Sequence, residues 1–268
     1  MIIRQSFLRN KFRSLVLRIF CYLENNNNAD FLTNGESFFL DNLFDYFGKN
    51  CRDHEKVILF DIGANVGKYT QVLLGKSTHL NNKVKIHLFE PTHACFDILQ
   101  KKFSHFDQVV LNKKAVSNKF KTAEIFYDEQ KSGLASFYKR NLNAYSIQMN
   151  QSESVDAIRL DSYINEKNIE HIHFLKIDIE GHESKALEGA GVYLSGDFID
   201  FLQFEYGGAN LDSHTNLMDI YDFFEKAGFV LAKVMPKGLN IRPYKPWMDN
   251  FQYANYVAVS AKIIGKLT

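Results

Sequence analysis

The spacing of hydrophobic positions along this chain shifts from helical to strand-like and back. Near the start, Phe7, Leu8, Phe12, Leu15, Val16, Ile19 and Leu23 recur at helical spacing, with Arg4, Arg9, Lys11, Arg13 and Arg18 between them. This predicts an amphipathic basic helix. The run Asn25-Asn26-Asn27-Asn28 reads as the loop that follows it. A second helical pattern, Phe38, Phe39, Leu43, Phe44 and Phe47, stops at Gly48.

Short apolar runs then alternate with helical stretches: strand 57–61, helix 66–75, strand 84–90, helix 92–103, strand 108–112. Val57 to Phe60 is apolar throughout, so this strand is expected to be buried on both faces near the centre of a parallel sheet. Residues 117–160 break the rhythm. There, Ala123–Tyr127 and Leu134–Tyr138 flank a polar turn and predict a β-hairpin insertion. The alternation resumes with strand Ile172–Asp178, helix 184–194, strand Ile199–Glu205 and a helix over 214–227 ended by Gly228. Phe229–Val234 and Tyr256–Val259 predict a closing antiparallel pair. The fold class is α/β, a doubly wound and mostly parallel sheet with a helical extension over 1–54 and one domain over 55–268.

Composition narrows the picture. With 268 residues, 46% hydrophobic and 24% charged, the chain can build one large core but not two full domains. A net charge of +1 offers no general field for nucleic acid, so none is expected as a partner. Cys21, Cys51 and Cys95 are scattered and form no C-x-x-C pair, as suits reduced thiols in a cytoplasmic protein. Arg18 interrupts the longest apolar run and no small-residue cleavage site follows, which argues against a signal peptide or a spanning helix. The first helix therefore either packs on the domain or lies on an anionic membrane surface as a peripheral contact.

The chemistry gathers at strand ends. Asp61-Ile62-Gly63-Ala64-Asn65-Val66-Gly67 follows the first predicted strand in a D-x-G-x-x-x-G spacing. A phosphate-binding turn would read G-x-G-x-x-G; here Asn65 replaces the middle glycine and an acid stands at the mouth, which suits a cationic, hydroxyl-bearing nucleoside ligand better than a pyrophosphate. Glu90 ends the next strand before Pro91, placed to accept from ribose hydroxyls in the same crevice. Asp178, Glu180 and His182 crowd around Gly181 at a third strand end, and Glu205 closes a fourth. The plain alternative at each is a structural strand ending. His171 and His173 lack a third ligand at fixed spacing and read as strand-edge residues. Trp247, in the loop Pro243 to Met248, is expected to pack, or to cover an acceptor.

These blocks, with Phe89-Glu90-Pro91, Leu160-Asp161-Ser162-Tyr163, Leu175 to Glu183, Leu187-Glu188-Gly189-Ala190, Gln203-Phe204-Glu205 and Asn255 to Val259, occur in the order found in the FkbM-type S-adenosylmethionine-dependent methyltransferases, which the chain resembles over about residues 55–260. The resemblance implies a class I methyltransferase (Rossmann-like) fold with a seven-stranded sheet, S-adenosylmethionine as cofactor, and O-methylation of a sugar, glycan or related small-molecule acceptor. It implies that Asp61, Gly63, Asn65 and Gly67 surround the amino-acid end of the cofactor, with Glu90 and Pro91 at its ribose. Ala115 and Val116, or alternatively Ser132 or Ser136 of the insertion, would sit at its adenine. Asp178 is assigned to the cofactor or to orienting the base, His182 is the favoured base, and Glu180 and Glu205 complete the catalytic candidates. No resident metal is expected, the competing arrangement being a divalent ion held by Asp178, Glu180 and Glu205. A homo-oligomer is compatible with the sequence. Two rival functions share the fold class: a nicotinamide-dependent oxidoreductase and a binding module without chemistry.

Overall fold

The computed structural model describes residues 7–51, 56–80 and 83–267. Arg4 of the basic helix lies outside them. The chain opens with α1 (Phe7–Glu24) and α2 (Glu36–Asn50), then runs through β1 (Val57–Ile62), α3 (Lys68–Lys76), β2 (Val84–Phe89), α4 (His93–Phe103) and β3 (Val109–Asn112). After β4 (Ala115–Val116), β5 (Lys121–Tyr127) and β6 (Gln151–Ile158) come α5 (Leu160–Glu166), β7 (Ile172–Ile177), α6 (Glu183–Ala190) and β8 (Ile199–Tyr206). The remainder is α7 (Ala209–Ser213), α8 (Leu217–Lys226), β9 (Phe229–Met235), β10 (Gly238–Ile241), β11 (Ala254–Ser260) and α9 (Ala261–Leu267).

The main sheet has the order β10-β9-β11-β8-β7-β1-β2-β3. Strands β8, β7, β1, β2 and β3 pair in parallel, and β11 runs antiparallel between β8 and β9. The expected doubly wound sheet is present, one strand larger than seven because β10 folds back on β9. β1 lies between β2 and β7, where the chain reverses its direction of winding, so a crevice opens at the carboxyl ends of these strands.

The apolar runs are buried on both sides, as parallel strands require. Val57 and Leu59 join one core with Phe39, Leu40, Leu43, Phe44 and Phe47 of α2, while Phe60 and Ile62 join the other with residues of α5, α6 and α8. The second predicted helix is therefore one of the layers that close the sheet, integral to the same core as residues 55–268. Helix boundaries move for local reasons. Gly67, at φ +80°, delays α3 to Lys68, and the Asn216 side chain caps α8 by accepting from Asp219 N–H, so that helix begins at Leu217.

One expectation is corrected and another narrowed. The insertion is a three-stranded sheet, β4-β6-β5, in which β5 pairs along its length with β6. Leu134–Tyr138 contributes only the reciprocal backbone bonds between Phe126 and Ser136. The packing of α1 on the domain, one of its two expected readings, is confined to its last turn, and none of its residues is buried. Its last turn ties it down through Cys21 Sγ to Gln252 Oε1, Phe20 edge-on to Trp247, and Glu24 to Arg242. No helix among the described residues is long and apolar enough to cross a membrane.

Candidate active site

A cavity of about 640 Å³ lies at the carboxyl ends of β1, β2, β7 and β8, walled on one side by residues 132–147 of the insertion. Its floor is the turn after β1. Gly63 (φ +88°) has room for no side chain: a Cβ there would stand 1.9 Å from the Asp178 carbonyl oxygen. Gly63 N–H and Ala64 N–H both donate to the Phe89 carbonyl, which joins this turn to the end of β2. Asn65, also left-handed, donates its backbone N–H to Glu90 Oε2 at 2.9 Å and its side-chain amide to the Ser132 carbonyl at 2.8 Å.

Glu90 is fixed by these contacts. Its Oε1 accepts from Thr92 N–H at 2.9 Å and from Thr92 Oγ1 at 2.5 Å. Burial raises its pKa, against the pull of those donors and of Asn65. Oε2 keeps a free acceptor direction beside the cavity, which fits a ribose hydroxyl. Ile62, Gly63, Asn65, Glu90, Pro91, Ala115, Val116, Ser132 and Ser136 all line the cavity.

Asp61 and Gly67 do not. Asp61 is wholly buried behind the turn, where Oδ2 accepts from Thr70 Oγ1 at 2.5 Å and Oδ1 has no hydrogen-bond partner among the described residues. Burial raises its pKa, opposed by Lys176 and Thr70. Gly67 meets Phe103 and Leu99 of α4, so it permits close packing of helix on helix. Asp61 thus supports the turn from beneath, and Gly67 sets the position of α3.

The reactive end gathers three carboxylates. One oxygen from each of Asp178, Glu180 and Glu205 lies within 4.8 Å of the others, and all three residues line the cavity. Two have fixed cations. Lys176 Nζ donates to Asp178 Oδ2 at 2.7 Å, and Arg140 Nη1 donates to Glu180 Oε2. Burial alone would lower the Lys176 pKa, but Asp178, Asp61 and Glu36 outweigh it and keep the ammonium charged. Burial raises Glu180, with Asp178 adding to the rise and Arg140 opposing it. Glu205 is raised well above the carboxylate range by burial and by repulsion from Asp178 and Glu180. No bond from a described residue to its carboxyl accompanies this, so Glu205 is the member of the trio without a cation of its own.

His182 is misplaced by the sequence reading. It does not line the cavity. Glu180 (φ +51°) and Gly181 (φ +96°) both turn left-handed and carry His182 to the start of α6, where it is buried. Its Nε2 is 2.9 Å from Ser117 Oγ, its Nδ1 is 3.3 Å from Tyr138 Oη, and the Phe137 ring lies against it. Burial, then Lys121 and Lys185, lowers its pKa to about 4. Trp247 is likewise absent from the cavity wall; its ring meets Phe20 and Arg242. His171 and His173 do gain a nearby carboxylate, Asp200, from β8. His173 Nδ1, however, accepts from Ile58 N–H, which places the ring proton on Nε2 and leaves no lone pair for a metal.

Sequence reasoning missed Arg140, Asp212, Asn27 and Tyr253, which also line the cavity, and Lys176 behind it. Lys176 carried a signal, a lysine inside a strand whose other residues, His173 aside, are apolar. Arg140 and Asn27 lie in irregular segments whose period gives none.

A family model described as Methyltransferase FkbM domain matches residues 61–231. Among solved structures, methyltransferase FkbM from Methylobacillus flagellatus KT is 16% identical with a TM-score of 0.47, covering 82% of this chain and 48% of that one. This chain thus spans about half the length of that protein. The CMeT domain of the citrinin polyketide synthase is 12% identical with a TM-score of 0.46, covering 95% and 58%. The Methanococcus jannaschii fibrillarin pre-rRNA processing protein is 9% identical with a TM-score of 0.42, covering 78% and 68%. No curated protein matches the chain.

Proposed function

This chain belongs to the FkbM methyltransferase family, with the class I methyltransferase fold, and from that premise we propose that it methylates a hydroxyl of a sugar, glycan or related secondary metabolite. The family and fold imply S-adenosylmethionine as methyl donor. The residues present fit that group. Glu90 offers an acceptor for ribose hydroxyls, Gly63 leaves a floor that a Cβ would fill, and the excess of acids over cations around Asp178, Glu180 and Glu205 suits a positively charged donor. When bound, the donor supplies an electrophilic methyl carbon, and the carbon–sulfur bond breaks onto sulfur as the acceptor oxygen attacks.

A sugar hydroxyl is a poor nucleophile, so its proton must leave as the new bond forms. Asp178 and Glu180 are each held by a cation and are suited to positioning. The observation that carries the proposal is Glu205, which lines the cavity beside Asp178 and Glu180 with no hydrogen bond or ion pair from a described residue to its carboxyl, so that its ionised oxygens are open to the acceptor hydroxyl. It receives the acceptor proton. Asn27, Arg140, Asn141, Asp212 and Tyr253 add donors and acceptors to the cavity wall, which favours a polyhydroxylated acceptor.

The test is incubation with labelled S-adenosylmethionine and producing-cell extract, followed by identification of the labelled product. An O-methylated sugar or related hydroxyl compound is expected, and Glu205→Gln is expected to lower its formation by about 10²–10⁴-fold with donor affinity kept. Label on carbon or nitrogen, or full activity of the variant, overturns the reading. A second reading, a divalent ion on the three carboxylates, draws support from their convergence within 4.8 Å; full activity after exhaustive chelation removes it.

A further inference from the structure

Helix α1 carries two different faces. At about 100° per residue, Leu8, Phe12, Leu15, Val16, Ile19 and Leu23 share one sector of roughly 100°, and each is about half exposed or more. Lys11 and Arg18 border this sector on one side, Arg9 and Arg13 on the other. Cys21 and Glu24, which touch the domain, project from the far side, and Phe20, edge-on to Trp247, lies between Arg9 and Arg13 at the border. The helix is fastened by its back and presents its apolar stripe outward.

We propose that α1 lies on a bilayer surface bearing anionic phospholipid. Charge complementarity selects this occupant. From Phe7 to Leu23 the helix has four cations and no acid, and its one acid, Glu24, is bound to Arg242 and lies 3.6 Å from Lys233. The apolar stripe enters the boundary between headgroups and acyl chains, while the bordering Lys and Arg stems reach outward to phosphates. A second copy of the helix fits less well, because stripe-to-stripe pairing brings cationic borders together with no acid to offset them. Nucleic acid would leave the apolar stripe unused.

The membrane contact bears on the cavity. Asn27 follows three residues after Glu24, donates its N–H to the Tyr253 carbonyl at 2.8 Å, and lines the cavity together with Tyr253. A protein lying on α1 therefore holds that end of its cavity close to the headgroups, where a membrane-borne acceptor can reach it.

The experiment is flotation of the full chain with vesicles of phosphatidylcholine, with and without phosphatidylglycerol. Binding is expected with the anionic lipid only, declining steeply as salt rises. Lys11→Glu/Arg18→Glu and Phe12→Ser/Ile19→Ser are each expected to weaken it at least about tenfold. Circular dichroism and melting temperature should stay unchanged in both, since none of these side chains is buried. Absence of binding to the anionic vesicles, or equal binding to both compositions, overturns the proposal. So does a dimer of the wild type that Phe12→Ser/Ile19→Ser converts to monomer without vesicle binding by either.

Discussion

Arg140 of the insertion is paired with Glu180 at the end of β7, and the same guanidinium reaches Asp212 in α7 through Nε at 3.3 Å. One side chain, only 7% exposed, thus fixes an acid of the reactive end against the far wall of the cavity. Arg140→Met leaves two half-buried carboxylates without their cation. Turnover is expected to fall by about 10²-fold through misplacement of the acceptor, with donor affinity changing little. Arg140→Lys should recover part of the loss, because an ammonium cannot serve both acids in the planar manner of a guanidinium. Steady-state kinetics beside calorimetric titration of the donor separate these effects.

Glu90→Gln is expected to weaken binding of S-adenosylhomocysteine by about 10–100-fold. The substitution sets an amide donor against either Asn65 N–H or the Thr92 donors, all of which need an acceptor. Isothermal titration measures the loss directly.

His182→Asn should leave turnover within about threefold of the parent and the pH–rate profile unmoved. His182 lies off the cavity, and burial lowers its pKa to about 4, which makes it a weak base for a hydroxyl proton. The variant loses the contact with Ser117, worth about 1 kcal/mol, so a melting temperature lower by a few degrees is the expected consequence.

Stability of the ligand-free protein should decline as pH rises. Glu183 accepts from Ile179 N–H and Gly181 N–H through Oε1, while its buried Oε2 has no partner among the described residues. Burial raises its pKa from 4.5 to about 7, so the folded protein holds this proton more tightly than the unfolded chain. The contribution is complete below pH 4.5 and is lost as pH passes through 7, a change of about 3 kcal/mol. Thermal melts from pH 5 to 8 should show the decline, reduced in Glu183→Gln, whose neutral amide keeps an acceptor for the turn.

The strand-end acids were legible because a parallel strand announces itself by an unbroken apolar run, and the residue that ends it must face the crevice. Glu90, Asp178 and Glu205 follow that rule, while Asp61, at the end of the first expected strand, points beneath the turn instead. His182 defeats it. Asp178, Glu180 and His182 crowd around Gly181 in the sequence, yet the left-handed Glu180 and Gly181 redirect the chain and carry His182 off the cavity. Nor does local pattern reveal a partner supplied from far along the chain. Arg140 lies 40 positions from Glu180, in a stretch with neither helical nor strand period. The insertion was misread for a related reason, since β5 finds its main partner in β6, beyond the adjacent segment that a hairpin would use.

Asn65 holds the Ser132 carbonyl with its side chain while its own backbone N–H supports Glu90. The insertion wall of the cavity is therefore hung from the turn at its floor. Under the proposed methyl transfer, a change of acceptor is expected to be written in the insertion beyond Ser132 with the Glu90 contact kept, whereas a change at Asn65 alters both at once. Within one scaffold, the freedom to acquire new substrates and the constraint on the shared reagent are divided at a single amide.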